Sequence, residues 1–492
     1  MINRVDQMAR PTYLPKLPVP AAEGPVFLQI ARQIAHDIQN RVLPPGARLP
    51  GSRQLSRSLG VHRNTALAAL AELTSQGWLE TEPRRGTFVS NAFPETRARR
   101  FAKPVQQPRV VLELPEAPAP PEPFPSFAAD MLPLVGGTPD FRLVPVAELT
   151  RAYRRALARS PRLLAYGSQL GEERLRVVLG THLRETRSLP VEPDGLMVTR
   201  GSQMALFLLA RVLARPDRVI VVEGLGYRPC WEALRLNGAR IVPVPVDAEG
   251  LSISALCKVL ERERVAAVYT TPHHQYPTTV TLTAPRRLEL LALARRHGFV
   301  IVEDDYDHEH HYDGRAVLPL ASVDADVVAY VGTLSKILAP GLRLGYIAAR
   351  PEIIERAVRV RTYIDRAGDH VVERAVAELI EDDVLGRHVR RVRREYQARR
   401  DALVSELTRQ LGGALSFRVP SGGMALWAKL TQRGVSSDAW AARARDRKVL
   451  VHPGRRFRFD GRESPFLRLG FAPVTVEEIR VAVERLAAAL PP

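Results

Sequence analysis

The chain has 492 residues, of which 45% are hydrophobic, and a formal net charge of +18. This length and apolar content exclude a disordered chain and favour more than one folded domain. Residues 1–103 hold 15 lysines and arginines against 7 acidic residues, so positive charge is densest towards the N-terminus. Such a region is typical of a module that binds a polyanion.

Cysteine use and hydropathy indicate the compartment. The two cysteines, Cys230 and Cys257, have neither metal-ligand spacing nor a disulfide framework, which is typical of a reducing cytoplasm. The first 20 residues have no apolar core for a signal peptide, and apolar runs such as 204–210 are too short to span a bilayer. We therefore expect a soluble, cytoplasmic protein without membrane contact.

The segment 25–92 alternates helical patterns with turn signals and closes in two short strands. The sequence predicts three helices and then two strands, over residues 26–40, 52–58, about 62–76, 78–82 and 86–90. Ser52 is the expected cap of the second helix, and Gly60 lies in the tight turn before the third. Helix, turn and helix form a DNA-reading geometry, while a plain helical domain with solvated arginines is the alternative.

Three sequence segments favour the DNA-binding interpretation. PVFLQIARQI, LPPGARLPGSRQLSRSLGVHRNTALAALAELTSQGWL and RRGTFV resemble the winged helix of the GntR family in order and spacing. The resemblance implies that double-stranded operator DNA is contacted from the second helix, the start of the recognition helix and the wing, by Arg53, His62, Arg63, Asn64, Thr65, Arg84, Arg85 and Gly86. The free amides and positive dipole of a helix start also favour a phosphate there.

Residues 93–130 are predicted to form a linker. The stretch 94–130 contains nine prolines, six of them between Pro115 and Pro125, which is typical of a semi-rigid spacer. An inert linker and a gating role both remain open.

From 131 to 490 apolar strands alternate with amphipathic helices. Strands are predicted near 196–198, 218–222, 240–244, 265–269, 299–303 and 327–331. This alternation predicts an α/β domain with a mostly parallel sheet covered on both faces. Ligands of such sheets bind beyond the carboxyl ends of the strands.

Polar groups at those strand ends fit the parts of a pyridoxal phosphate site. Lys336 can form an imine with the cofactor aldehyde, and Asp304 can hold the pyridine nitrogen protonated. Tyr306 can donate to the ring hydroxyl, and Tyr227 can stack on the ring. The phosphate is expected at a helix start, held by the amides of Gly201, Ser202 and Gln203 with the help of Thr333 and Arg343. Ser335, which also follows strand 327–331, is expected among the cofactor-binding residues.

The order of these motifs resembles fold-type I aminotransferases. GSQMALFLLARVL, TTPHHQYPT, EDDYDHEHHYDG, TLSKILAPGLRLGY and FLRLGFA are together similar to the C-terminal part of MocR-type regulators, in which a GntR reader is fused to an aminotransferase-like domain. The resemblance implies an internal aldimine at Lys336, a phosphate contact from Arg343 and a ligand-carboxylate contact from Arg468. It also implies a homodimer.

Histidines depart from the aminotransferase pattern. His274 stands near the position where these enzymes use an asparagine on the ring hydroxyl, so we expect it at the cofactor. His308, His310 and His311 are interpreted as a polar loop edge, because no second ligand cluster accompanies them in the sequence, and no metal site is expected.

Three functions compete on these grounds. The first is a pyridoxal-phosphate-dependent transcriptional regulator that senses a small amine, an amino acid or the cofactor itself, with transamination absent or residual. The second is a working aminotransferase that also binds DNA, and the third is a cofactor-free dimerisation scaffold. We favour the first, because Lys336, Asp304 and Arg343 are all present beside a DNA reader.

Overall fold

The computed structural model describes residues 25–91, 130–312 and 317–491. The chain divides into two compact units, with the boundary between Pro115 and Glu116. The predicted linker, residues 93–130, lies outside the described residues except for Asp130.

The N-terminal unit is a winged helix. Its elements in chain order are α1 (Val26–Gln39), α2 (Ser52–Leu59), α3 (Arg63–Ser75), β1 (Leu79–Glu82) and β2 (Gly86–Val89). The two strands pair antiparallel, with Leu79 opposite Val89. Apolar residues spaced three or four apart meet in one core, among them Ile30, Ile34, Leu55, Leu70 and Leu73.

The helix boundaries in this unit agree with the sequence prediction, but one cap does not. Ser52 is the first helical residue of α2 rather than its cap, since Gly51 precedes the helix without a side-chain cap bond. Gly60 ends α2 in the left-handed conformation (φ 65°), which a glycine adopts without steric cost. His62 caps α3, because its side chain accepts a hydrogen bond from the backbone amide of Asn64.

The C-terminal unit contains the remaining helices and strands. The helices are α4 (Val146–Arg159), α5 (Glu173–Arg187), α6 (Ser202–Leu213), α7 (Arg228–Leu236), α8 (Ile253–Leu260), α9 (Ala284–His297), α10 (Leu320–Val323), α11 (Pro351–Thr362), α12 (His370–Glu381), α13 (Val384–Leu411), α14 (Ser437–Asp446) and α15 (Val476–Ala488). The strands are β3 (Leu132–Pro133), β4 (Leu196–Thr199), β5 (Val219–Glu223), β6 (Arg240–Val244), β7 (Val246–Asp247), β8 (Gly250–Leu251), β9 (Val265–Thr270), β10 (Val300–Asp305), β11 (Val328–Thr333), β12 (Gly345–Ala348), β13 (Leu415–Phe417), β14 (Ala425–Leu430), β15 (Val449–Leu450), β16 (His452–Pro453) and β17 (Phe466–Gly470).

Seven strands form the central sheet in the order β4-β12-β11-β10-β9-β5-β6. β12 runs antiparallel to both of its neighbours, while the other pairs are parallel. The predicted mostly parallel α/β sheet is therefore confirmed, and six of its strands are the predicted ones. β12 was not predicted, because it has only four residues and begins inside the motif TLSKILAPGLRLGY, which ends at Tyr346.

Successive strand residues face opposite sides of this sheet. Ile301 packs in the core that includes α5, α8 and α9, whereas Val302 packs in the core that includes α6, α7 and α11. The same alternation separates the side chains of Asp304 and Asp305 at the end of β10. The side chains of Asp304 and Asp305 therefore lie on opposite faces of the sheet.

A smaller sheet, in the order β13-β14-β17-β16, packs with α13, α14 and α15 around a third core that contains Trp440 and Phe471. Arg468 lies in β17 of this sheet, opposite Trp427 in β14. Among the described residues, no helix combines the length and apolarity that crossing a membrane requires.

Candidate functional site

Lys336 follows β11, and its Nζ donates a hydrogen bond to the backbone carbonyl oxygen of Gly137. Burial of the amine, with the positive charge of Arg468, lowers the pKa of Lys336 to about 8, while the carboxylate of Asp304 acts in the opposite direction. A lower pKa increases the neutral fraction of the amine near neutral pH. The neutral amine is the form that attacks a carbonyl carbon.

Asp304 is a buried carboxylate with one oxygen available. The hydroxyl of Tyr269, on the neighbouring β9, donates a 2.9 Å hydrogen bond to Oδ2. Oδ1 is buried and has no hydrogen-bond partner within the described part of the chain. Burial raises the pKa of Asp304 to about 7, so a cationic partner such as a protonated pyridine nitrogen is favourable at Oδ1.

The start of α6 lies beside the start of β12. Gly345 approaches so closely that a Cβ on it would lie 2.7 Å from the backbone nitrogen of Ser202. The Gly201 amide donates to the Thr199 carbonyl oxygen over 2.9 Å. Of the three amides expected to bind the phosphate, those of Ser202 and Gln203 in the first turn of α6 therefore remain available. These amides have no partner four residues earlier in the helix, and they are suited to a phosphate.

Arg343 accompanies this helix start. Its Nη2 donates a 3.1 Å hydrogen bond to the carbonyl oxygen of Arg200, and a Cβ on Gly201 would lie 3.1 Å from the same atom. Gly201 has a φ of 77°, which favours glycine. The guanidinium therefore lies beside the same helix start as the amides of Ser202 and Gln203.

The two hydroxyl groups after β11 differ in their hydrogen-bond partners. The Thr333 hydroxyl donates to the Leu344 carbonyl oxygen over 3.3 Å and accepts from the Ser335 amide over 3.1 Å, so its hydrogen is used within the loop. The Oγ of Ser335 is buried and has no partner among the residues described. Ser335 is therefore the better phosphate donor of the two.

Tyr276 is a residue of the site that the sequence analysis missed. Its ring makes edge contacts with the rings of Tyr227 and Tyr306, at centroid distances of 5.6 Å and 5.9 Å. The Tyr306 hydroxyl donates to the backbone carbonyl oxygen of His274 over 3.0 Å, rather than remaining unpaired. Tyr276 was visible in the motif TTPHHQYPT, but only the fold brings it between these two rings.

Arg468 is a buried cation with unused donors. It is 1% exposed and lies over the Tyr276 ring, with Cζ 4.5 Å from the centroid. Its Nε and Nη1 have no hydrogen-bond partner in the described ranges. Gly136 leaves the room for this side chain, since a Cβ there would lie 1.6 Å from Nη1. An unpaired buried guanidinium favours a ligand carboxylate.

The expected place of His274 at the cofactor ring hydroxyl is not supported by its contacts. Its Nδ1 lies 2.8 Å from Oδ1 of Asp307. A Cβ on Gly422 would lie 2.3 Å from its Nε2, so this edge of the ring is packed against the backbone. Pairing with Asp307 and packing against Gly422 therefore engage both edges of the imidazole.

The winged helix displays the predicted DNA-contacting residues at three places: the start of α2, the start of α3 and the β1–β2 turn. Thr65 and Gly86 are half-buried, and the exposed ones are Arg53, His62, Arg63, Asn64, Arg84 and Arg85. The His62 ring is partly used, because its Nδ1 accepts from the Asn64 amide over 3.3 Å.

Arg48, which precedes α2 and was not selected from the sequence, lies against the wing. A Cβ on Gly86 would lie 3.0 Å from Nε of Arg48, so this exposed guanidinium covers the β1–β2 turn. Arg85 pairs with Glu82 over 2.5 Å while its side chain remains 74% exposed. Arg48 therefore adds positive charge to the wing.

Three sets of groups in the C-terminal unit, some of them without partners in the described chain, suit the chemical groups of pyridoxal phosphate. Asp304 Oδ1 suits the pyridinium, the Ser335 hydroxyl and the Ser202 amide suit the phosphate, and the Lys336 amine suits the aldehyde carbon. A single ligand with these three functions would satisfy buried donors and acceptors that otherwise lack partners.

Comparison with known proteins defines the class of each unit. Residues 27–89 match the bacterial regulatory proteins of the gntR family, and residues 129–486 match aminotransferase class I and II. The solved structure of LysN, an alpha-aminoadipate aminotransferase of Thermus thermophilus complexed with N-(5'-phosphopyridoxyl)-L-leucine, is 30% identical, with 74% of this chain and 92% of LysN covered and a TM-score of 0.69. A DNA-binding winged helix is thus joined to a pyridoxal-phosphate-dependent aminotransferase-like unit.

Two curated regulators are similar over almost the whole chain. The HTH-type transcriptional regulator TauR of Rhodobacter capsulatus is 30% identical, with 96% of this chain and 98% of TauR covered. The probable rhizopine catabolism regulatory protein MocR of Rhizobium meliloti is 28% identical, with 95% and 94% covered. The chain belongs to the MocR-type transcriptional regulators, as the sequence resemblance predicted.

Proposed function

We propose that this regulator responds to a small ligand that carries both an amino group and a carboxylate. The observation that carries the proposal is Arg468, which is 1% exposed and leaves Nε and Nη1 without partners in the described part of the chain. A buried charge of this kind is costly unless a ligand anion completes it. A carboxylate bound there, with its amine directed to the cofactor, satisfies both requirements.

Each residue has a task in this proposal. Pyridoxal phosphate supplies an aldehyde carbon that a primary amine attacks. Lys336 would provide the resident amine, Asp304 would hold a proton at the pyridine nitrogen, and Arg468 would orient the incoming ligand through its carboxylate. Release of the Lys336 amine would be the event that distinguishes the liganded protein from the unliganded one.

The phosphate end is proposed to be held by Ser202, Gln203, Ser335 and Arg343. Gly201 and Thr333 shape the loops that carry these donors, Gly201 through its backbone amide and Thr333 through its hydroxyl. Tyr227, Tyr276 and Tyr306 form the aromatic wall of the pocket. His274 contributes through its carbonyl oxygen, which positions the Tyr306 hydroxyl.

The output is proposed to be altered binding to operator DNA by a cytoplasmic homodimer, without rapid transamination. The regulators TauR and MocR support this, since their similarity extends over both units. Two readers in one dimer raise operator affinity by linking two binding events. The second candidate is an active aminotransferase, which the likeness to LysN favours; rapid steady-state turnover of an amino acid with a keto acid would establish it instead.

Identification of the reacting lysine tests the cofactor part of this proposal. The full-length protein is saturated with pyridoxal phosphate, reduced with borohydride and digested, and the labelled peptide is identified by mass. We expect the label on Lys336 and a visible absorption band that Lys336→Ala abolishes without loss of the fold. A label on another lysine, or none, would contradict the proposal and favour a cofactor-free scaffold.

Effector class is tested by comparing each amino acid with the amine that results from its decarboxylation. Operator affinity is followed by fluorescence anisotropy while the cofactor absorption is recorded in the same cuvette. We expect amino acids, but not the matched amines, to change both signals, and Arg468→Lys to weaken the response. If pyridoxal phosphate alone changes operator affinity and no amino acid adds to it, the cofactor is itself the signal.

A further inference from the structure

His273, Asp305 and His308 form a buried cluster on the face of the sheet opposite to Asp304. They are 3%, 3% and 4% exposed, and each offers one donor atom such that all three atoms lie within 4.8 Å of one another. In the sequence His273 is far from the other two. Only the parallel pairing of β9 with β10 brings the three residues together.

Two potential metal-ligand atoms of this cluster make no hydrogen bond within the described residues. The Nδ1 of His273 and the Oδ1 of Asp305 are buried and have no hydrogen-bond partner among the described residues. Both side chains are more than nine-tenths buried, so these atoms are removed from solvent. Buried polar atoms without partners are costly, and a bound cation would satisfy both at once.

The third residue is held in an orientation suited to metal binding. His308 Nδ1 lies 2.8 Å from Oδ2 of Asp305, and the Tyr330 hydroxyl donates to the same oxygen over 2.7 Å. An ion bound by both residues would replace the hydrogen bond between them, with Nδ1 of His308 as the ligand atom.

Ring spacing agrees with ligation of one ion. The ring centroids of His273 and His308 are 4.8 Å apart, and His311 lies 5.9 Å and 5.8 Å from them. Two imidazoles bound to one tetrahedral ion through metal–nitrogen bonds of about 2.0–2.1 Å place their centroids roughly 5 Å apart. The Nδ1 of His311 is also buried without a partner in the described chain, and this ring lies at the edge of the cluster, outside the group of three whose ligand atoms approach one another.

The buried guanidinium of Arg187 has its own carboxylate partner in Glu309, so it does not take Asp305 as its salt-bridge partner.

We propose that His273, Asp305 and His308 bind one divalent transition-metal ion of the Zn²⁺ type. Imidazole nitrogens with a single carboxylate suit zinc and its first-row neighbours better than Mg²⁺ or Ca²⁺, which prefer oxygen ligands. The ion would join the segment after β9 to the end of β10. These two segments carry Tyr276 and Tyr306, so the ion would stabilise the segments that form one wall of the proposed cofactor pocket.

Zinc binding by the untagged, cofactor-loaded, full-length protein tests this proposal. The protein is stripped with a chelator, equilibrated with Zn²⁺, desalted and assayed for zinc. We expect about one zinc per chain in the wild type and in the exposed-site control His297→Gln, and at least a tenfold loss of affinity in His273→Gln and His308→Gln. Wild-type zinc content equal to that of the two cluster variants would overturn the site.

A second measurement needs no variant and therefore does not depend on how the variants fold. Co²⁺ replaces Zn²⁺ in the wild-type protein, and the visible spectrum is recorded. An intense ligand-field band that saturates at one equivalent and is removed by Zn²⁺ is expected for imidazole ligation of low coordination number. A weak spectrum equal to that of hexahydrated Co²⁺ would overturn the proposal.

Discussion

The hydroxyl of Tyr269 donates a hydrogen bond to Oδ2 of Asp304 over 2.9 Å, between adjacent strands of the central sheet. This bond fixes the carboxylate plane and leaves Oδ1 as the available acceptor. Because Tyr269 is 1% exposed and Asp304 5% exposed, water does not compete freely for either group. Cofactor affinity should therefore depend on both residues, but unequally.

We expect Asp304→Asn to weaken pyridoxal phosphate binding by roughly 10- to 100-fold, since a charge-assisted hydrogen bond contributes about 1.5–3 kcal/mol. Tyr269→Phe removes a neutral donor instead, and we expect a loss of roughly fivefold, or about 1 kcal/mol. Equilibrium dialysis of the apoprotein measures both constants. Equal losses in the two variants, or none for Asp304→Asn, would contradict the assigned role of Asp304.

The reactivity of Lys336 should depend on pH in a way that Arg468 controls. Only the neutral amine reacts, and the pKa of Lys336 is lowered from 10.5 to about 8 by burial and then by Arg468. The rate of cofactor attachment should therefore rise with pH and reach half its maximum near pH 8. Stopped-flow absorbance at limiting cofactor measures this rate.

Arg468→Gln removes the positive charge, so the midpoint of that profile should move to higher pH, towards the ordinary lysine value. Arg468→Lys keeps the charge and should leave the midpoint near that of the wild type. An unchanged midpoint in Arg468→Gln would mean that burial alone lowers the pKa of Lys336.

A methyl group at Gly345 should disturb the phosphate end of the site. In Gly345→Ala the Cβ would lie 2.6 Å from the carbonyl carbon of Gly201 and 2.7 Å from the Ser202 nitrogen, and overpacking of this kind costs about 1–3 kcal/mol. We expect a lower thermal midpoint and weaker cofactor binding. Gly341→Ala is the matched control, because a Cβ there meets no atom within 4 Å. If Gly345→Ala and Gly341→Ala have similar thermal midpoints, the start of α6 moves to accommodate the methyl group without a loss of stability.

Operator binding should depend on Arg63 at the start of α3. If Arg63 contacts a phosphate, Arg63→Ala should reduce affinity and lower the slope of log K against log salt by about 0.9 for that contact. The exposed Arg32 on α1 serves as the control, and Arg32→Ala should change neither quantity. Fluorescence anisotropy at several salt concentrations makes the comparison. Identical slopes for both variants would place the DNA-reading surface elsewhere.

Local patterns were sufficient for the winged-helix elements, six strands of the central sheet and the class of protein. Apolar runs bounded by turn residues gave six strands of the sheet within two residues of their observed bounds, and the α1 and α3 boundaries were equally close. Such elements are predictable because side-chain periodicity records which face is buried. β12 was not predicted, since its four residues are too few to define a period.

Individual contacts at the site were less predictable. Proximity to a motif placed His274 at the cofactor, but its ring pairs with Asp307, which lies thirty-three positions further along the chain. Thr333 was expected at the phosphate, but its hydroxyl meets the Leu344 carbonyl oxygen across a loop. Hydrogen-bond partners of this kind depend on the relative positions of two segments, which a single motif does not encode.

The sequence by itself determined the family, the order of the two units and the identity of the reactive lysine candidate, because these are written in contiguous motifs and their spacing. Tertiary structure decided which polar groups are left without partners: Oδ1 of Asp304, the Arg468 guanidinium and Nδ1 of His273. Whether a buried group is satisfied depends on neighbours that come from distant strands. The cofactor pocket and the proposed metal site therefore follow from the pairing of β9, β10 and β11, and not from any one segment of the chain.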